Sequence, residues 1–513
     1  MSTGTAGTAT GAAAAQPRAA LQPLAAGWSG RRTARTALLC ALVASLNAAC
    51  WSVITPPFQA PDEPSHVAYV QHLAETGRLP NSDGSGFSAE ELTVLRDLRQ
   101  LEVRWHPELR TISSRPRRER LRVDLARPLG RSGAGGAGPA ASEPPAYYAL
   151  ETIPYYLGSG GTLLDRLELM RLMSALMAGA AALFCFLFLR ESLPGAPWAW
   201  TVGGLGVALF PLFGFTSGVV TPDAMLCAIS SAIFYCLSRA FRLGLTRNLA
   251  IAIGTLAAVG FLTKLNFIGL APGVILGLAI LGRRGIPAPP GSRRHERALG
   301  SSALATAIAA SPVCVYALGG LIAGRAPLGR FSGSAGQVLG GSPVSELAYV
   351  WQLYLPRLPG MASSFPGLST TRELWFDRAV GLYGWLDTAF PTWVYDFALL
   401  PVGLIAGLAL NALIGNRGAL RRRLPELAVY LTIAAGVLLL VGVSSRLAQS
   451  FEGTSFAQPR YTLPMLALLG AALALAARGA GRRWGPPVGA LLVILLLAHD
   501  LFSQLQVVAR FYG

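Results

Sequence analysis

Eleven apolar segments of helical length dominate this sequence and exclude a water-soluble fold. Of its 513 residues, 52% are hydrophobic and only 13% are charged. A helix needs roughly 20 mostly apolar residues to cross a bilayer, where it satisfies its own backbone polar groups. A membrane barrel would show alternating segments of about ten residues instead, and none appear. We predict an all-α polytopic membrane protein with spans at 36–54, 172–189, 198–216, 223–238, 249–263, 265–281, 299–322, 393–414, 427–444, 461–477 and 485–501.

The distribution of arginine predicts how these spans are oriented. If residues 1–35 form a disordered cytoplasmic tail and the spans alternate, the inner segments contain 20 arginines and three glutamates. Their difference equals the whole net charge of +17, as expected for a membrane protein with basic cytoplasmic loops. A nucleic-acid partner is therefore not needed. We expect one transmembrane domain at 36–501 and a short outer tail at 502–513.

Two long loops, at 56–168 and 323–392, lie on the predicted outer side. Loops longer than about 15 residues are commonly functional or disordered. Within the first loop, Pro64 and Gly77 favour a short helix over 64–76, because proline suits a first helical turn and glycine a helix exit. Ser88 and Glu91 then form the pattern of a capping box, which predicts a second helix.

The stretch TPPFQAPDEPSH places two adjacent carboxylates just after the first span. Asp62 and Glu63 precede Pro64, where a carboxylate would cap free backbone N–H groups at a helix N-terminus. One carboxylate suffices for that role. Asp62 and His66 are four residues apart and share one side of the first turn, an arrangement that orients an imidazole or offers two ligands to a divalent metal ion. Capping and chemistry are both open interpretations here.

Lys264 is the single lysine beside 42 arginines, and it lies between the spans at 249–263 and 265–281. An ionisable residue at membrane depth indicates a functional site by default, and an ammonium is a compact charge suited to phosphate. The alternative is an amine that snorkels to the interface. Asp223 begins the span at 223–238 on the same predicted side, where it either caps that helix or faces a substrate.

Further aromatic and charged residues collect near span ends on the predicted outer side. They are, in chain order, Tyr147, Tyr148, Trp385, Asp387, Arg460 and Tyr461. Tyrosine and tryptophan are enriched at membrane interfaces, so these rings either anchor the chain or contact a sugar. Acidic, aromatic and cationic residues on one face predict a site at the outer membrane surface that is open to a lipid substrate from the side.

Several common sites lack sequence support. The chain has no GxxxxGK[ST] phosphate loop, no HExxH motif and no GxSxG elbow. Its six cysteines lie in or beside apolar spans without a CxxC pair, which argues against a metal cage or a disulfide framework. ATP-driven transport, zincin proteolysis and α/β-hydrolase chemistry are therefore not predicted.

The motifs PPFQAPDEPSH, PPAYY, TPDAML, GWLDTAFP and QPRYTLP occur in this order over about 56–464. Together they resemble the bacterial membrane-protein family known as domain of unknown function 2142. That family is similar to the GT-C superfamily of integral-membrane glycosyltransferases. The resemblance implies a GT-C-like helical bundle with a large first outer loop.

The resemblance also implies a reaction: transfer of a sugar from a polyprenyl-phosphate carrier to a cell-envelope acceptor on the outer side. The catalytic base of such enzymes comes from the first outer loop, which carries the role to Asp62, with Glu63 as the alternative. Lys264, Arg460 and His66 would bind the donor phosphate. Asp223, Asp387, Trp385, Tyr147, Tyr148 and Tyr461 would contact substrate. No cofactor is required, although Asp62 and His66 could share a divalent ion.

Two rival functions have different sequence signatures. A transporter or flippase of a lipid-linked saccharide should place charges near the bilayer midplane, in broken helices of repeated halves. Here the notable ionisable residues lie at predicted outer ends, and no convincing internal repeat is visible. A noncatalytic scaffold would use the first loop as a docking domain. Glycosyl transfer is the interpretation that the residues favour.

Overall fold

The computed structural model describes residues 30–80, 86–110, 114–133, 139–284, 294–322, 324, 342–364, 371–452 and 457–513. Most of the predicted tail at 1–35 therefore lies outside the described residues. So do parts of both predicted long loops.

The described chain is built almost entirely from helices. In chain order they are α1 (Gly30–Ile54), α2 (Glu63–Thr76), α3 (Ala89–Asp97), α4 (Gln100–Val103), α5 (Arg115–Leu125), α6 (Ala146–Leu157), α7 (Leu163–Ser192), α8 (Pro197–Ala208), α9 (Pro211–Ser217), α10 (Pro222–Leu243), α11 (Arg247–Thr263), α12 (Ala271–Arg284), α13 (Arg294–Ile322), α14 (Pro343–Tyr354), α15 (Arg378–Gly381), α16 (Thr392–Gly415), α17 (Arg417–Arg422), α18 (Leu424–Glu452), α19 (Leu466–Gly479) and α20 (Gly481–Tyr512). Tighter or wider turns occupy Pro139–Ser142, Leu265–Gly269, Arg372–Asp377 and Pro459–Met465.

The strands of the described residues form one small hairpin. Strand β1 (Leu382–Tyr383) pairs antiparallel with β2 (Thr388–Ala389), so that Leu382 lies opposite Ala389. This hairpin carries the GWLDT motif in its turn.

The prediction of an all-α polytopic membrane protein is confirmed. Within the described residues, eight helical segments are long and apolar enough to cross a membrane. The predicted span at 198–216 is instead a pair, α8 and α9, bent by 55°. The predicted spans at 249–263 and 265–281 correspond to α11, of 17 residues, and α12, of 14 residues, both shorter than a full span. A turn around Leu265–Gly269 separates these two helices.

Helix α7 lies at the centre of the bundle and packs against α1, α6, α8, α10 and α19. Small side chains form much of this contact, because alanine and glycine let helix backbones approach closely in a membrane. Buried alanines of α1 and α7 belong to one continuous apolar core. At Gly203 the approach is so close that an added Cβ would lie 2.5 Å from the carbonyl oxygen of Gly470.

The first loop folds over one end of the bundle. As predicted, α2 ends at Gly77, whose φ of 66° is in the left-handed region. The predicted capping box is also present: the Ser88 hydroxyl accepts from Glu91 N–H, and the Glu91 carboxylate accepts from Ser88 N–H at 2.7 Å. Helices α2 and α6 pack together around a second apolar core that includes Tyr69 and Tyr148.

The close contact at Gly203 gives a stability prediction. We expect Gly203→Ala to destabilise the fold by about 1–3 kcal/mol, because the new methyl group overpacks against Gly470 and Leu189. Gly403→Ala is the matched control, since an added Cβ in α16 meets nothing within 4 Å. Thermal unfolding in detergent checks both. Equal midpoints for the two variants would contradict the packing described here.

Candidate active site

A buried ion pair fixes the backbone that carries the paired carboxylates. Arg171 of α7 donates from Nε to Glu63 Oε1 at 2.8 Å and from Nη2 to Glu63 Oε2 at 2.6 Å. The remaining guanidinium N–H groups donate to the carbonyl oxygens of Ser52, Thr55 and Pro56. Glu63 also accepts from the backbone N–H groups of Phe58 and Val220. Three segments that are distant in sequence, 52–63, Arg171 of α7 and Val220, meet at this one contact.

Glu63 is consequently a structural residue. Its side chain has no exposed surface, and both carboxylate oxygens are occupied by charged or backbone donors. The expectation that Glu63 is an alternative base is not supported, because an acceptor hydroxyl has no free oxygen to approach.

Asp62 has a different environment from its neighbour. It stands at the N-cap of α2 with a left-handed φ of 65°, yet its side chain makes no capping hydrogen bond. The carboxylate instead accepts from Arg460 Nη2 at 2.6 Å, and 28% of the side chain is exposed. The capping interpretation therefore fails for Asp62. Its carboxylate is held outward on a left-handed backbone, which is uncommon outside glycine although aspartate adopts it more often than most residues.

His66 lies one turn further along α2 and is buried. Its Nδ1 is 2.9 Å from the hydroxyl of Tyr148, which stacks on Tyr69 with ring centroids 3.7 Å apart. Burial lowers the pKa of the imidazole to about 4, against the opposing effect of the Asp62 carboxylate. His66 is therefore neutral at physiological pH and acts as a hydrogen-bonding group.

A second ion pair joins Lys264 to Asp223. Lys264 Nζ lies 2.7 Å from Asp223 Oδ1, and both side chains are buried. Thr221, and not Asp223, caps α10, because the threonine hydroxyl accepts from the Asp223 N–H. Lys264 follows the last residue of α11, and its ammonium lies 5.7 Å from the ring centroid of Tyr461. Lys264 therefore does not snorkel to the interface and Asp223 does not cap α10, because the two side chains form a buried ion pair.

The Asp62–Arg460 and Asp223–Lys264 ion pairs belong to one charged cluster. Burial raises the pKa of the Asp62 carboxyl, but the charge and hydrogen bond of Arg460, with the charge of Lys264, outweigh burial and hold that pKa below its usual value. Asp223 also acts on His66 electrostatically. The structure therefore brings together Asp62, His66, Asp223, Lys264, Arg460 and Tyr461 at one end of the bundle.

The GWLDT hairpin packs beside this cluster. Trp385 Nε1 donates to the carbonyl oxygen of Phe58 at 3.1 Å, which ties the hairpin to the segment before Asp62. Asp387 is nearly buried, accepts from the Trp105 N–H at 3.1 Å and pairs with Arg510 at 3.5 Å. Asp387 thus stabilises the loops around the site, and the structure does not support its direct contact with substrate.

The two predicted tyrosines have separate positions. Tyr148 contacts His66, as described, and orients its ring. Tyr147 is fully buried and its hydroxyl lies 2.9 Å from Ser174 Oγ, which in turn donates to Glu151. Direct substrate binding by Tyr147 or Tyr148 is not supported, because neither ring has exposed surface.

Four residues at or next to the cluster are not evident from sequence: Arg104, Glu143, Arg171 and Arg378. Arg171 immediately precedes the predicted span at 172–189, so an ionisable residue at the edge of a span was the available signal. The Glu143 carboxylate accepts from the Leu265 N–H at 3.0 Å and therefore lies beside Lys264. The other two arginines are among many in their segments and carry no distinguishing pattern.

A narrow cleft opens beside Arg460. Its wall is mostly apolar and is formed by Leu212, Phe215, Val219, Leu382 and Leu386. Arg378 and Gln458 supply polar lining. Arg460 Nε and Gln458 Oε1 are buried without a hydrogen-bond partner among the described residues. The cleft thus presents one donor and one acceptor to a ligand that also has an apolar part.

The cluster does not fit a metal ion well. No group of three or more His, Cys, Asp or Glu side chains is arranged to hold a metal within the part of the chain that is described. His66 Nδ1 is already hydrogen-bonded to Tyr148, and Arg460 faces Asp62. Positive charge at this site comes from arginine and lysine.

The Arg171 contact predicts a large loss of stability on truncation. Arg171→Met leaves Glu63 buried and uncompensated, which should cost roughly 3–5 kcal/mol. Arg446→Met is the control, because its pair with Glu346 is partly exposed on both sides. Denaturant unfolding of the purified variants in detergent measures both. A loss for Arg171→Met no larger than the control would contradict the role assigned to this pair.

His66 predicts a pH dependence of stability. Its pKa falls from 6.5 to about 4 on folding, so the unfolded chain binds a proton first as the pH decreases. The stabilisation is complete above about pH 6.5 and is lost towards pH 4, by about 3 kcal/mol in total. His66→Asn should flatten the difference in unfolding free energy between pH 7 and pH 4.5. The exposed His106→Asn should not, and identical pH profiles for wild type and His66→Asn would refute the burial effect.

One protein family and two solved structures are similar to this chain. A family model described as "Predicted membrane protein (DUF2142)" matches residues 46–469. The crystal structure of the apo oligosaccharyltransferase of Archaeoglobus fulgidus is similar at 13% identity with a TM-score of 0.44, covering 92% of this chain and 56% of that one. A structure of the archaeal oligosaccharyltransferase AglB from the same organism, in complex with an inhibitory peptide and a dolichol-phosphate, is similar at 12% identity with a TM-score of 0.45. That match covers 93% of this chain and 56% of the AglB chain. The chain thus spans just over half the length of these structures, and no curated protein matches it.

Proposed function

The chain belongs to the DUF2142 family of predicted membrane proteins, and from this premise we propose that it is a GT-C-type glycosyltransferase. It transfers a sugar from a polyprenyl-phosphate carrier to a cell-envelope acceptor on the extracytoplasmic side of the bacterial plasma membrane. The observation that carries the proposal is the Asp62 carboxylate, which caps nothing and contacts Arg460 at 2.6 Å beside the Lys264–Asp223 pair.

Asp62 is the general base in this reaction. Its carboxylate takes the proton of an acceptor hydroxyl as that oxygen forms a bond to the anomeric carbon, a role for which a positioned carboxylate is suited. The bond between the anomeric carbon and the phosphate oxygen breaks at the same time. The phosphate leaves with the bonding electrons, and no external oxidant, reductant or metal is required for this balance.

Arg460 and Lys264 stabilise the charge that develops on the phosphate. Both are cations at the same cluster, and preorganised charges in a partly dry site contribute strongly to transition-state stabilisation. His66, neutral and fixed by Tyr148, supplies a hydrogen bond to the donor. Asp223 holds Lys264 in place, and Tyr461 lies beside both cations.

Donor binding also activates the base. Without donor, Arg460 pairs with Asp62 and contributes to its lowered pKa, which weakens the carboxylate as a base. A donor phosphate competes for Arg460, whose Nε has no partner among the described residues. When Arg460 turns towards the phosphate, the pKa of Asp62 rises, so the carboxylate becomes a stronger base once the donor is bound.

The cleft beside Arg460 supports a lipid-linked donor. Its apolar wall from α9 and the hairpin matches the first isoprenoid units of a carrier, while Arg460, Arg378 and Gln458 match a phosphate and an adjacent hydroxyl. Helix α9, which follows the bend after α8, lines this cleft, and in our proposal a membrane lipid enters the cleft from the side. The end of the bundle opposite the charged cluster carries Arg190, Arg239 and Arg242 around Glu191. Because arginine is enriched on the cytoplasmic side of membrane proteins, we place this end and the N-terminus in the cytoplasm.

A transporter of lipid-linked saccharides is the second candidate. The broken pair α8–α9 favours it, since transporters build binding sites from discontinuous helices. The charged cluster, however, includes the N-cap of α2 in the first loop and the N-terminal turn of α10, which suits chemistry at a surface better than passage through the midplane.

Asp62→Asn tests the proposal. Purified protein with radiolabelled polyprenyl-phosphate sugars and envelope extract should form glycosidic product, and the variant should reduce the rate about 10²–10⁴-fold through loss of the base. Asp396→Asn is the control, because Asp396 also pairs with an arginine, Arg372, but is exposed. Carrier movement across vesicles without product would favour the transporter. An unchanged transfer rate in Asp62→Asn would remove Asp62 as the base.

A further inference from the structure

An arginine stacked on two indole rings lies beside the candidate base. The Arg104 guanidinium is 4.0 Å from the ring centroid of Trp105 and 4.7 Å from that of Trp385. Its Nε is buried, and its side chain has no hydrogen bond or ion pair with any described residue. The Asp62 charge acts on it directly and partly offsets the effect of burial, which lowers the Arg104 pKa. A buried N–H donor without a hydrogen-bond partner costs free energy, which a ligand recovers when it supplies an acceptor.

Trp105 has an exposed ring and an unusual backbone conformation. Its side chain is a large aromatic group, 61% exposed, and its φ of 65° lies in a region that bulky residues rarely adopt. The conformation is fixed by two hydrogen bonds: Trp105 N–H donates to Asp387, and Trp105 Nε1 donates to the carbonyl oxygen of Trp385 at 3.0 Å. The Trp105 ring is therefore held in place by these two hydrogen bonds while most of its apolar surface stays in contact with water.

Strained backbone is concentrated around this platform. Of the five non-glycine residues with positive φ in the described chain, four surround the site: Phe58, Asp62, Trp105 and Leu386. Trp385 connects two of them, through its bond to Phe58 and its contact with Trp105. Each such residue costs of order 1–3 kcal/mol and persists where the surroundings hold it in place, commonly at functional sites.

We propose that Trp105, Arg104 and Trp385 form the acceptor subsite and that it binds a saccharide bearing an anionic group. The C–H face of a sugar ring stacks on the negative face of Trp105. Arg104 then pairs with a carboxylate or phosphate of the same saccharide. Because this assigns the acceptor, the proposal rests on the glycosyltransferase function.

The position relative to Asp62 favours acceptor over donor. The donor phosphate is assigned to the buried side of Asp62, where Lys264 is only 7% exposed and the apolar cleft begins. Trp105 and Arg104 lie on the loop side, where water-soluble saccharide has access. A base must lie within hydrogen-bond reach of the acceptor hydroxyl while that oxygen attacks the anomeric carbon. Asp62 interacts electrostatically with both groups of residues, with Arg460 and Lys264 and also with Arg104.

Saccharide binding tests this subsite without requiring transfer. Full-length protein in lipid nanodiscs is titrated calorimetrically with a glucuronate-containing tetrasaccharide and with a neutral tetrasaccharide of equal length. We expect wild type to bind the acidic probe about tenfold more tightly, in line with a charge-assisted pair. Trp105→Ala should weaken both probes about tenfold, and Trp105→Phe should retain most of the affinity.

Arg104→Gln should abolish the preference for the acidic probe while leaving neutral binding unchanged. The matched controls are Trp484→Ala and Arg483→Gln, because Trp484 is equally exposed at 61% and its ring also lies beside an arginine, at 5.9 Å. Both controls should bind both probes as wild type does. Unfolding midpoints within error of wild type show that each variant is folded.

Three results would overturn the subsite: no binding of either probe by wild type, unchanged affinity in Trp105→Ala, or an intact acidic preference in Arg104→Gln. These outcomes are independent of the transfer assay. Transfer that depends on Asp62 with unaltered binding in Trp105→Ala refutes the subsite alone. Probe binding that depends on Trp105 without any glycosidic product refutes the transferase alone.

Discussion

The buried pair between Arg171 and Glu63 is the contact on which the rest of the site depends. A guanidinium with five donors binds one carboxylate at two points and also satisfies three backbone carbonyl groups in and just after the last turn of α1. The same carboxylate accepts from the segment before α10. Because one charged pair fixes the end of α1, the start of α2, α7 and the approach to α10, the neighbouring Asp62 is held in a strained conformation.

Adjacent carboxylates thus have opposite roles for a physical reason. Glu63 is used to build the frame, with no exposed surface and no free oxygen, whereas Asp62 keeps 28% of its side chain exposed beside two cations. The helix cap that Asp62 could provide is not made, and its carboxylate pairs with Arg460 instead. The positive charges of Arg460 and Lys264 keep this carboxylate compatible with a half-buried environment.

Local sequence signals predicted the apolar helices and two helix boundaries in the first loop, whereas several spans extend up to about ten residues beyond their predicted ends. Hydropathy located the apolar helices, and Gly77 and the Ser88–Glu91 pair marked helix boundaries, because these features depend on neighbouring residues alone. Partner choice could not be predicted, since Arg171 lies 108 residues from Glu63 and Arg460 lies 398 residues from Asp62. The same limit applies to the break between α8 and α9 and to the stacking of Arg104 on Trp105, which are settled by tertiary packing.

The central claim is that one base and one set of phosphate-binding cations share a single site at the end of the bundle. A cryo-electron-microscopy structure of the protein with undecaprenyl phosphate tests it most directly, through the distances from the bound phosphorus. The account predicts phosphate oxygens within about 4 Å of Lys264 Nζ and of the Arg460 guanidinium, with Asp62 released from Arg460. A phosphate beside the arginines at the opposite end, or more than about 10 Å from Asp62, would contradict it.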